Sequence, residues 1–166
     1  MYLDINPEIC TGCRLCEAFC SFRREKSVWP SKSCISVLRY EREALYIPFT
    51  CQQCEKAICA EVCPVQAIKR NPNTGAWEIE VSRCMGCKMC VASCPLGGVA
   101  FDPNRGQAFK CDLCGGDPEC VKVCAPGALR LVKGPEATLA KRRRVVQNLV
   151  HLLKSWGKDW GVEKYV

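Results

Sequence analysis

Cysteines are the residues of this sequence whose number and spacing most clearly indicate chemistry. Of seventeen cysteines, sixteen fall into four short groups of four. The groups are Cys10, Cys13, Cys16 and Cys20; Cys51, Cys54, Cys59 and Cys63; Cys84, Cys87, Cys90 and Cys94; and Cys111, Cys114, Cys120 and Cys124. The first and third groups have the spacing C-x2-C-x2-C-x3-C, by which bacterial proteins hold [4Fe–4S] clusters. Because each cubane takes four thiolates, the sequence predicts four [4Fe–4S] clusters.

The fourth cysteine of each group indicates how the groups are combined. One C-x2-C-x2-C loop reaches three irons of a cubane, and the fourth iron faces away from that loop. In proteins with two such clusters, the fourth cysteine of each run ligates the other cluster. The groups are therefore expected to work in pairs, with each pair holding two clusters.

Zinc and disulfides are the other common uses of clustered cysteines. Structural zinc takes C-x2-C pairs separated by a longer stretch, so three cysteines within seven residues suit it poorly. Disulfides suit secreted chains, but residues 1–7 lack the basic start and apolar core of a secretory signal. Iron–sulfur clusters are the favoured interpretation, and a zinc-binding interaction module is the remote alternative. Free thiolate ligands also predict a reducing, cytoplasmic location.

Length and charge exclude several classes of protein. The 166 residues suffice for one domain or two very small ones, and no run of eighteen apolar residues predicts a membrane span. The formal charge is +7 when the cysteines are counted as neutral. Each oxidised cubane with its four thiolates carries roughly −2, so four clusters bring the protein close to neutrality. The basic residues therefore do not predict nucleic-acid binding.

The stretches between the groups are typical of short strands and turns. Alternating apolar residues and turn residues predict strands at 35–40, 45–49, 67–70, 77–81, 98–101, 107–109 and 128–132. The strands at 67–70 and 77–81 form a hairpin between the second and third groups. Single-turn helices, such as residues 17–19, are expected beside the ligand loops. The predicted fold class is α+β, with two nested ferredoxin-like modules that each hold two clusters, and a C-terminal helix.

The compact hairpin between Cys63 and Cys84 favours pairing the second group with the third, which leaves the first to pair with the fourth. We number the resulting ligand sets 1 to 4. They are Cys10, Cys13, Cys16 and Cys124 (set 1); Cys20, Cys111, Cys114 and Cys120 (set 2); Cys51, Cys54, Cys59 and Cys94 (set 3); and Cys63, Cys84, Cys87 and Cys90 (set 4). The competing arrangement pairs groups one with two and three with four, and spacing alone does not exclude it.

Four segments carry a resemblance to a known family: TCQQC at 50–54, CAEVCP at 59–64, KCDLC at 110–114 and CVKVC at 120–124. In this order, the motifs resemble the four-cluster electron-transfer subunits of molybdenum and tungsten oxidoreductases, such as the iron–sulfur subunit of dimethylsulfoxide reductase, and of hydrogenase and carbon monoxide dehydrogenase systems. The resemblance covers residues 4 to about 132. The sequence departs from the family at Ser21, where a proline often follows the first group, and at Ala125, which separates Cys124 from Pro126.

The resemblance has implications for the domains and the clusters. It implies a module at 51–94 inserted into an outer module made of 1–50 and 95–132, in agreement with the nested pairing. Since all sixteen ligand positions are cysteine, it implies four cubanes and no three-iron variant. The short chain is most similar to the small subunits of tungsten-dependent aldehyde oxidoreductases.

These observations predict a non-catalytic electron-transfer subunit of an oxidoreductase complex. No phosphate-binding glycine loop, C-x-x-C-H haem motif or nucleophile constellation is found. The candidate partners are a catalytic subunit of the molybdenum or tungsten type, a flavin or ferredoxin redox partner, and further copies of the chain, including head-to-tail filaments. The alternative is a freestanding polyferredoxin that shuttles electrons between enzymes.

The remaining features lie in the tail and at two isolated residues. Residues 133–166 are predicted to form a docking helix, because apolar residues recur there at helical spacing. The alternative is that this helix covers the chain's own core. Cys34, the seventeenth cysteine, is predicted to be a buried, inert thiol, and His151 to have a packing or surface role.

Overall fold

The computed structural model describes residues 1–133, which contain short strands and helices. The strands are β1 (Tyr2–Ile5), β2 (Ile35–Tyr40), β3 (Leu45–Thr50), β4 (Ile68–Arg70), β5 (Trp77–Ile79), β6 (Val99–Asp102), β7 (Gln107–Lys110) and β8 (Leu129–Val132). The helices are α1 (Leu15–Glu25), α2 (Ile58–Glu61), α3 (Met89–Ala92) and α4 (Glu119–Lys122). The predicted tail helix and His151 lie outside the described residues.

The strands of residues 1–133 pair two by two into antiparallel ribbons. Three ribbons are local hairpins, formed by β2 with β3, β4 with β5, and β6 with β7. The fourth joins the two ends of the compact unit Met1–Val132, because β1 pairs with β8 in a register that sets Leu3 opposite Leu131. This mixture of short helices and antiparallel ribbons confirms the predicted α+β class.

Two predicted elements differ from the structure. The strand predicted at 77–81 ends at Ile79, and Val81–Arg83 forms a 3₁₀ turn with the Val81 side chain exposed. The single helical turn predicted at 17–19 is wrong in length, because α1 has eleven residues. Glu17 accepts hydrogen bonds from both Arg14 and the backbone N–H of Val37, which holds the start of α1 against β2.

The cysteine ligands themselves make up much of the core. One group of buried residues combines the apolar side chains of Leu3, Ile35, Leu113 and Leu129 with Cys16, Cys51, Cys111 and Cys120. A second group contains Ile68, Val99 and Ala108 with Cys90. A small chain has little apolar surface to bury, so bound metal commonly contributes to the stability of such cores. Within residues 1–133, no helix is long and apolar enough to cross a membrane.

Candidate metal centres

Four cavities within residues 1–133 are lined by the sixteen grouped cysteines. The cavities, numbered here by ligand set, are lined by Cys10, Cys13, Cys16 and Cys124 (cavity 1); Cys20, Cys111, Cys114 and Cys120, with Cys34 (cavity 2); Cys51, Cys54, Cys59 and Cys94 (cavity 3); and Cys63, Cys84, Cys87 and Cys90 (cavity 4). Including the part open to solvent, they measure about 320, 440, 470 and 350 Å³ respectively. Each cavity thus combines three cysteines of one group with the last cysteine of another.

The helices explain why the third and fourth cysteines of a group line different cavities. Cys16 and Cys20 both lie on α1, and they line cavities 1 and 2. In the other three groups, the third cysteine lies within α2, α3 or α4 and the fourth follows the helix end. α1 packs against α4, and α2 packs against α3. Each helix pair therefore lies between two neighbouring cavities.

The first part of every group is a loop that turns through left-handed backbone. In all four groups, the second residue after the first cysteine has positive φ: Gly12 (68°), Gln53 (49°), Gly86 (72°) and Leu113 (55°). Gly12 and Gly86 also need the absence of a side chain, because a Cβ would lie 2.5 Å from the Tyr46 ring and 2.1 Å from the Gly106 carbonyl oxygen, respectively. The turn bends each loop around its cavity, so that the first two cysteines line the same cavity.

Backbone N–H groups donate to several of the cysteine sulfurs. The fourth cysteines of the first three groups accept from Cys34, Ala67 and Gly98 at 3.2–3.3 Å. Leu113 N–H donates to Cys111 Sγ at 3.4 Å. Hydrogen bonds of this kind favour the thiolate over the thiol and tune bound iron–sulfur clusters.

Burial opposes ionisation of several ligand thiols. It raises the pKa of Cys16 and of Cys111 to about 12 and the pKa of Cys120 further still. Since a thiolate is the form that ligates metal, these side chains lose their protons when a cation binds. The exception is Cys20, whose pKa is lowered to about 6, chiefly because Cys34 donates a hydrogen bond to it.

Cys34, which the sequence predicts to be a buried, inert thiol, contacts a ligand cysteine. It is half-buried and lines cavity 2 beside the four ligand cysteines. Its hydrogen bond to Cys20 and its burial raise its own pKa well above the usual value. It is therefore a protonated hydrogen-bond donor to a ligand, a contact that its position in the sequence does not reveal.

Cationic side chains line the cavities and fit an anionic occupant. Lys110 is 4 % exposed and lines cavity 3. Arg24 lines cavity 2, and its Nε is buried without a hydrogen-bond partner among the described residues. A buried donor or charge is costly unless it meets an acceptor or an opposite charge. A cubane with its thiolates is negative, so the charges and the donor set both fit [4Fe–4S] clusters.

Within residues 1–133, no three His, Cys, Asp or Glu side chains are gathered so that they could hold a metal ion together. A cubane makes a different demand, because each of its four irons takes a single thiolate. Four cysteines spread around a cavity meet that demand without converging on one point.

The fold and the cysteine-lined cavities define an iron–sulfur protein of the ferredoxin type. The chain belongs to the 4Fe-4S dicluster domain family, which it matches over residues 42–134. Residues 7–23 also match a 4Fe-4S binding domain, which covers the first cysteine group.

Its relatives include subunits of several oxidoreductases. The chain is 36% identical to the polyferredoxin-like subunit of the aliphatic sulfonate oxidoreductase of Pyrococcus furiosus, over 81% of this chain and 79% of that one. It is 33% identical to formate hydrogenlyase subunit 2 of Escherichia coli, over 86% and 87%. It is 31% identical to the thiosulfate reductase electron transfer subunit PhsB of Salmonella typhi, over 80% and 75%.

These relationships confirm the prediction of an iron–sulfur electron-transfer subunit. The chain is homologous to polyferredoxin-like and electron-transfer subunits of oxidoreductase complexes, which are not the catalytic subunits. The resemblance to four-cluster electron-transfer subunits is thus confirmed at the level of [4Fe–4S] subunits of oxidoreductases.

Proposed function

We propose that this chain holds four [4Fe–4S] clusters, one in each cavity, and connects a catalytic oxidoreductase subunit to a redox partner. The observation that supports this most directly is the lining of the cavities, because ligand sets 1 to 4 each surround one of them. When bound, the clusters supply acceptors and donors of single electrons. The chain's own residues hold them, exclude water and place them next to one another.

The packing of the helices supports two nested modules. α1 and α4, which carry the first and fourth groups, pack together, and β1 pairs with β8 beside them. α2 and α3, which carry the second and third groups, form the other pair. We therefore assign residues 1–50 and 95–132 to an outer module and residues 51–94 to an inserted one. Residues 133–166 stay a proposed docking tail.

Shared elements arrange the cavities as a row from 1 to 4. α1 joins cavities 1 and 2 through Cys16 and Cys20. Lys110 lines cavity 3 and its neighbour Cys111 lines cavity 2. α2 and the residues after it join cavities 3 and 4 through Cys59 and Cys63. The outer module then supplies one end of the row and the inserted module the other.

Exposed apolar side chains lie beside both end cavities and suit contact with partner proteins. Leu15 lines cavity 1 and Met85 lines cavity 4, with 44% and 65% of their surfaces exposed. The ligands Cys13 and Cys87 are exposed at the same places. We propose a catalytic subunit of the molybdenum or tungsten type at one end and a flavin or ferredoxin partner at the other, in the cytoplasm. A tungsten-dependent aldehyde oxidoreductase is the narrower proposal for the catalytic subunit.

Metal analysis of anaerobically purified protein tests the number of clusters. Iron and acid-labile sulfide are each expected near sixteen per chain, because each of four cubanes contains four of both. Zinc without sulfide would overturn the proposal in favour of a zinc-binding module. A value near eight would reduce the assignment to two clusters.

Single cysteine substitutions test the pairing. Under the nested arrangement, Cys13→Ser and Cys124→Ser perturb the same cluster signal in electron paramagnetic resonance, since both line cavity 1. Cys20→Ser and Cys114→Ser perturb a second, common signal, since both line cavity 2. If Cys124→Ser instead shared its signal with Cys87→Ser, groups three and four would be partners and the nested arrangement would be wrong.

Purification of the tagged chain from its native host tests the role as a subunit. A stoichiometric large subunit that contains molybdenum or tungsten is expected, and Met85→Glu or Leu15→Glu should weaken its binding. Leu38→Glu is the matched control, because the exposure of Leu38, at 50%, lies between those of Leu15 and Met85, and Leu38 lines none of the four cavities. A chain that purifies alone, and that reduces several enzymes equally well, would be a freestanding polyferredoxin.

A further inference from the structure

Lys110 is a buried cation that faces one of the four cavities. It ends β7, is 4 % exposed and lines cavity 3. Its Nζ donates to the Trp77 carbonyl oxygen at 2.5 Å. Among residues 1–133, no carboxylate lies within ion-pair distance of it. Lys32, also buried, differs in this respect because it is paired with Asp102.

A buried ammonium group in this position is stabilised when a negative charge lies beside it. It has three N–H donors, and the Trp77 carbonyl takes one of them. Burying a charge without a partner is costly, and in a poorly polar interior its attraction to an opposite charge is much stronger than in water. The thiol groups of ligand set 3 line the same cavity as Lys110 and become negative when they bind metal.

Other cavities differ from cavity 3 in their cations. At cavity 1, Arg14 is paired with the buried carboxylate of Glu17. At cavity 2, Arg23 is paired with Glu119, and Arg24 is only half-buried and lies over the Phe109 ring. At cavity 4, Lys88 lies over the Phe101 ring and is exposed to solvent. Lys110 thus combines full burial with the absence of a carboxylate partner among the described residues that line these cavities.

Hydrogen bonds hold Trp77, whose carbonyl accepts from Lys110, in the lining of cavity 3. The Trp77 that accepts from Lys110 also donates its indole N–H to the Cys54 carbonyl at 2.8 Å. Its backbone N–H donates to Gln53 Oε1 at 2.9 Å, and Gln53 Nε2 donates to the Cys111 carbonyl at 2.8 Å. Both the backbone and the side chain of Trp77 are therefore fixed, and so is the carbonyl that accepts from Lys110.

We propose that Lys110 is a positioning residue that raises the reduction potential of the cluster held by ligand set 3. This inference rests on the proposed function. Uptake of one electron from a chemical reductant makes the cluster one unit more negative, with no bond formed and no proton moved. A fixed, buried positive charge stabilises that added charge, so the reduced form is favoured.

Redox titration of the holoprotein, followed by electron paramagnetic resonance, tests the proposal. Lys110→Met is expected to make one reduction step at least tenfold less favourable, which for one electron is about 59 mV. The other three steps should shift less, and the cluster of the neighbouring cavity 2 should shift most among them. Lys110→Arg retains the charge and should restore most of the potential. Cys54→Ser identifies the step, since its serine perturbs or removes the same signal.

Lys56→Met is the matched control, because Lys56 lines the same cavity but is exposed. Its effect should be small and should vanish at high salt, whereas the effect of Lys110→Met should persist. If Lys110→Met fails to assemble its clusters, Lys110→Gln, which can still donate to Trp77, provides the comparison with Lys110→Arg.

The outcomes separate this inference from the proposed function. If wild-type protein contains no [4Fe–4S] clusters, both fail together. If it contains four and the neutral variants leave all four steps unmoved, only the role of Lys110 is wrong. Equal shifts of every step would also overturn it, because they would indicate a general change in structure rather than a local charge.

Discussion

Substitutions at two neighbouring glycines, Gly86 and Gly106, can separate the effect of backbone strain from the effect of close contact. Gly86 lies in the loop between Cys84 and Cys87 with φ of 72°, and Gly106 has φ of 67°. A Cβ on Gly86 would lie 2.1 Å from the Gly106 carbonyl oxygen, whereas a Cβ on Gly106 would meet no described atom within 4 Å. Gly106→Ala is therefore a matched control for Gly86→Ala.

The expected destabilisation follows from these contacts. Left-handed backbone costs an alanine about 1–2 kcal/mol, and the stiffer unfolded chain returns about 0.4–1 kcal/mol, so Gly106→Ala should lose between about 0 and about 1.6 kcal/mol. Gly86→Ala carries the same strain and adds the displacement of a backbone carbonyl. Overpacking of this kind costs about 1–3 kcal/mol more.

The assay is the rate at which the clusters lose their visible absorption in a fixed concentration of urea, without oxygen. Because proteins that lose a cofactor on unfolding are compared more safely by rates than by equilibrium midpoints, the difference is best expressed as a ratio. An additional 1–3 kcal/mol corresponds to loss about 5-fold to about 150-fold faster for Gly86→Ala than for Gly106→Ala. Equal rates for the two variants would refute the argument from close contact.

Three further predictions concern charge and metal. Arg24→Met should lower the reduction potential of the cluster in cavity 2, because the buried Arg24 Nε has no other described acceptor, and Arg24→Lys should retain most of that potential in a redox titration. The Asp102 pKa is lowered because Lys32 donates to it. The ion pair therefore stabilises the fold fully at pH values above the usual carboxylate pKa of about 3.9, and this stabilisation is lost as the pH falls towards the lowered pKa. Lys32→Met should therefore flatten the dependence of stability on pH in this range, and a urea series between pH 6 and pH 3 that matched wild type would contradict it. Removal of iron by a chelator should abolish most of the far-ultraviolet circular dichroism, since the cysteine ligands form much of the core; a retained spectrum would show that the core is stable without metal.

Much of the fold could be predicted because most of its strands pair with the next strand along the chain. The hairpins at 35–50 and 98–110 were predictable from alternating residues and turn residues, which need only their neighbours. Strand β1 was missed, because Tyr2–Ile5 is extended only through its pairing with β8 at the other end of the unit. The length of α1 was underestimated although residues 17–25 include several helix formers, since the contact of Glu17 with Val37 that fixes the helix start is not local.

The candidate ligand cysteines could be identified from the sequence, because binding one cluster requires cysteines at short, regular spacing. The residues around them were not, since a lysine next to a ligand is ordinarily solvated and gives no sign of burial in the sequence. Lys110 is buried because β7 brings it under Trp77, 33 positions earlier in the chain. Cys34 contacts Cys20 for a similar reason, through the return of the chain after α1. The cysteines that line the cavities can therefore be predicted from sequence spacing, whereas the charges and hydrogen bonds around them depend on tertiary contacts.

The position of the buried cations links folding to the binding of clusters. Without clusters, no described carboxylate pairs with Lys110 and the Arg24 Nε has no described acceptor, while burial keeps the Cys59 and Cys111 thiols that line the same cavities protonated. Each cluster that binds converts four thiols into ligands and adds negative charge at the place where these cations lie. The cluster-free chain keeps the formal charge of +7, and repulsion among these charges destabilises its folded form. Replacing both cations with neutral residues should consequently make the metal-free chain more compact and bind its clusters less tightly, and gel filtration of the apoprotein with a chelator competition would detect the two opposite effects.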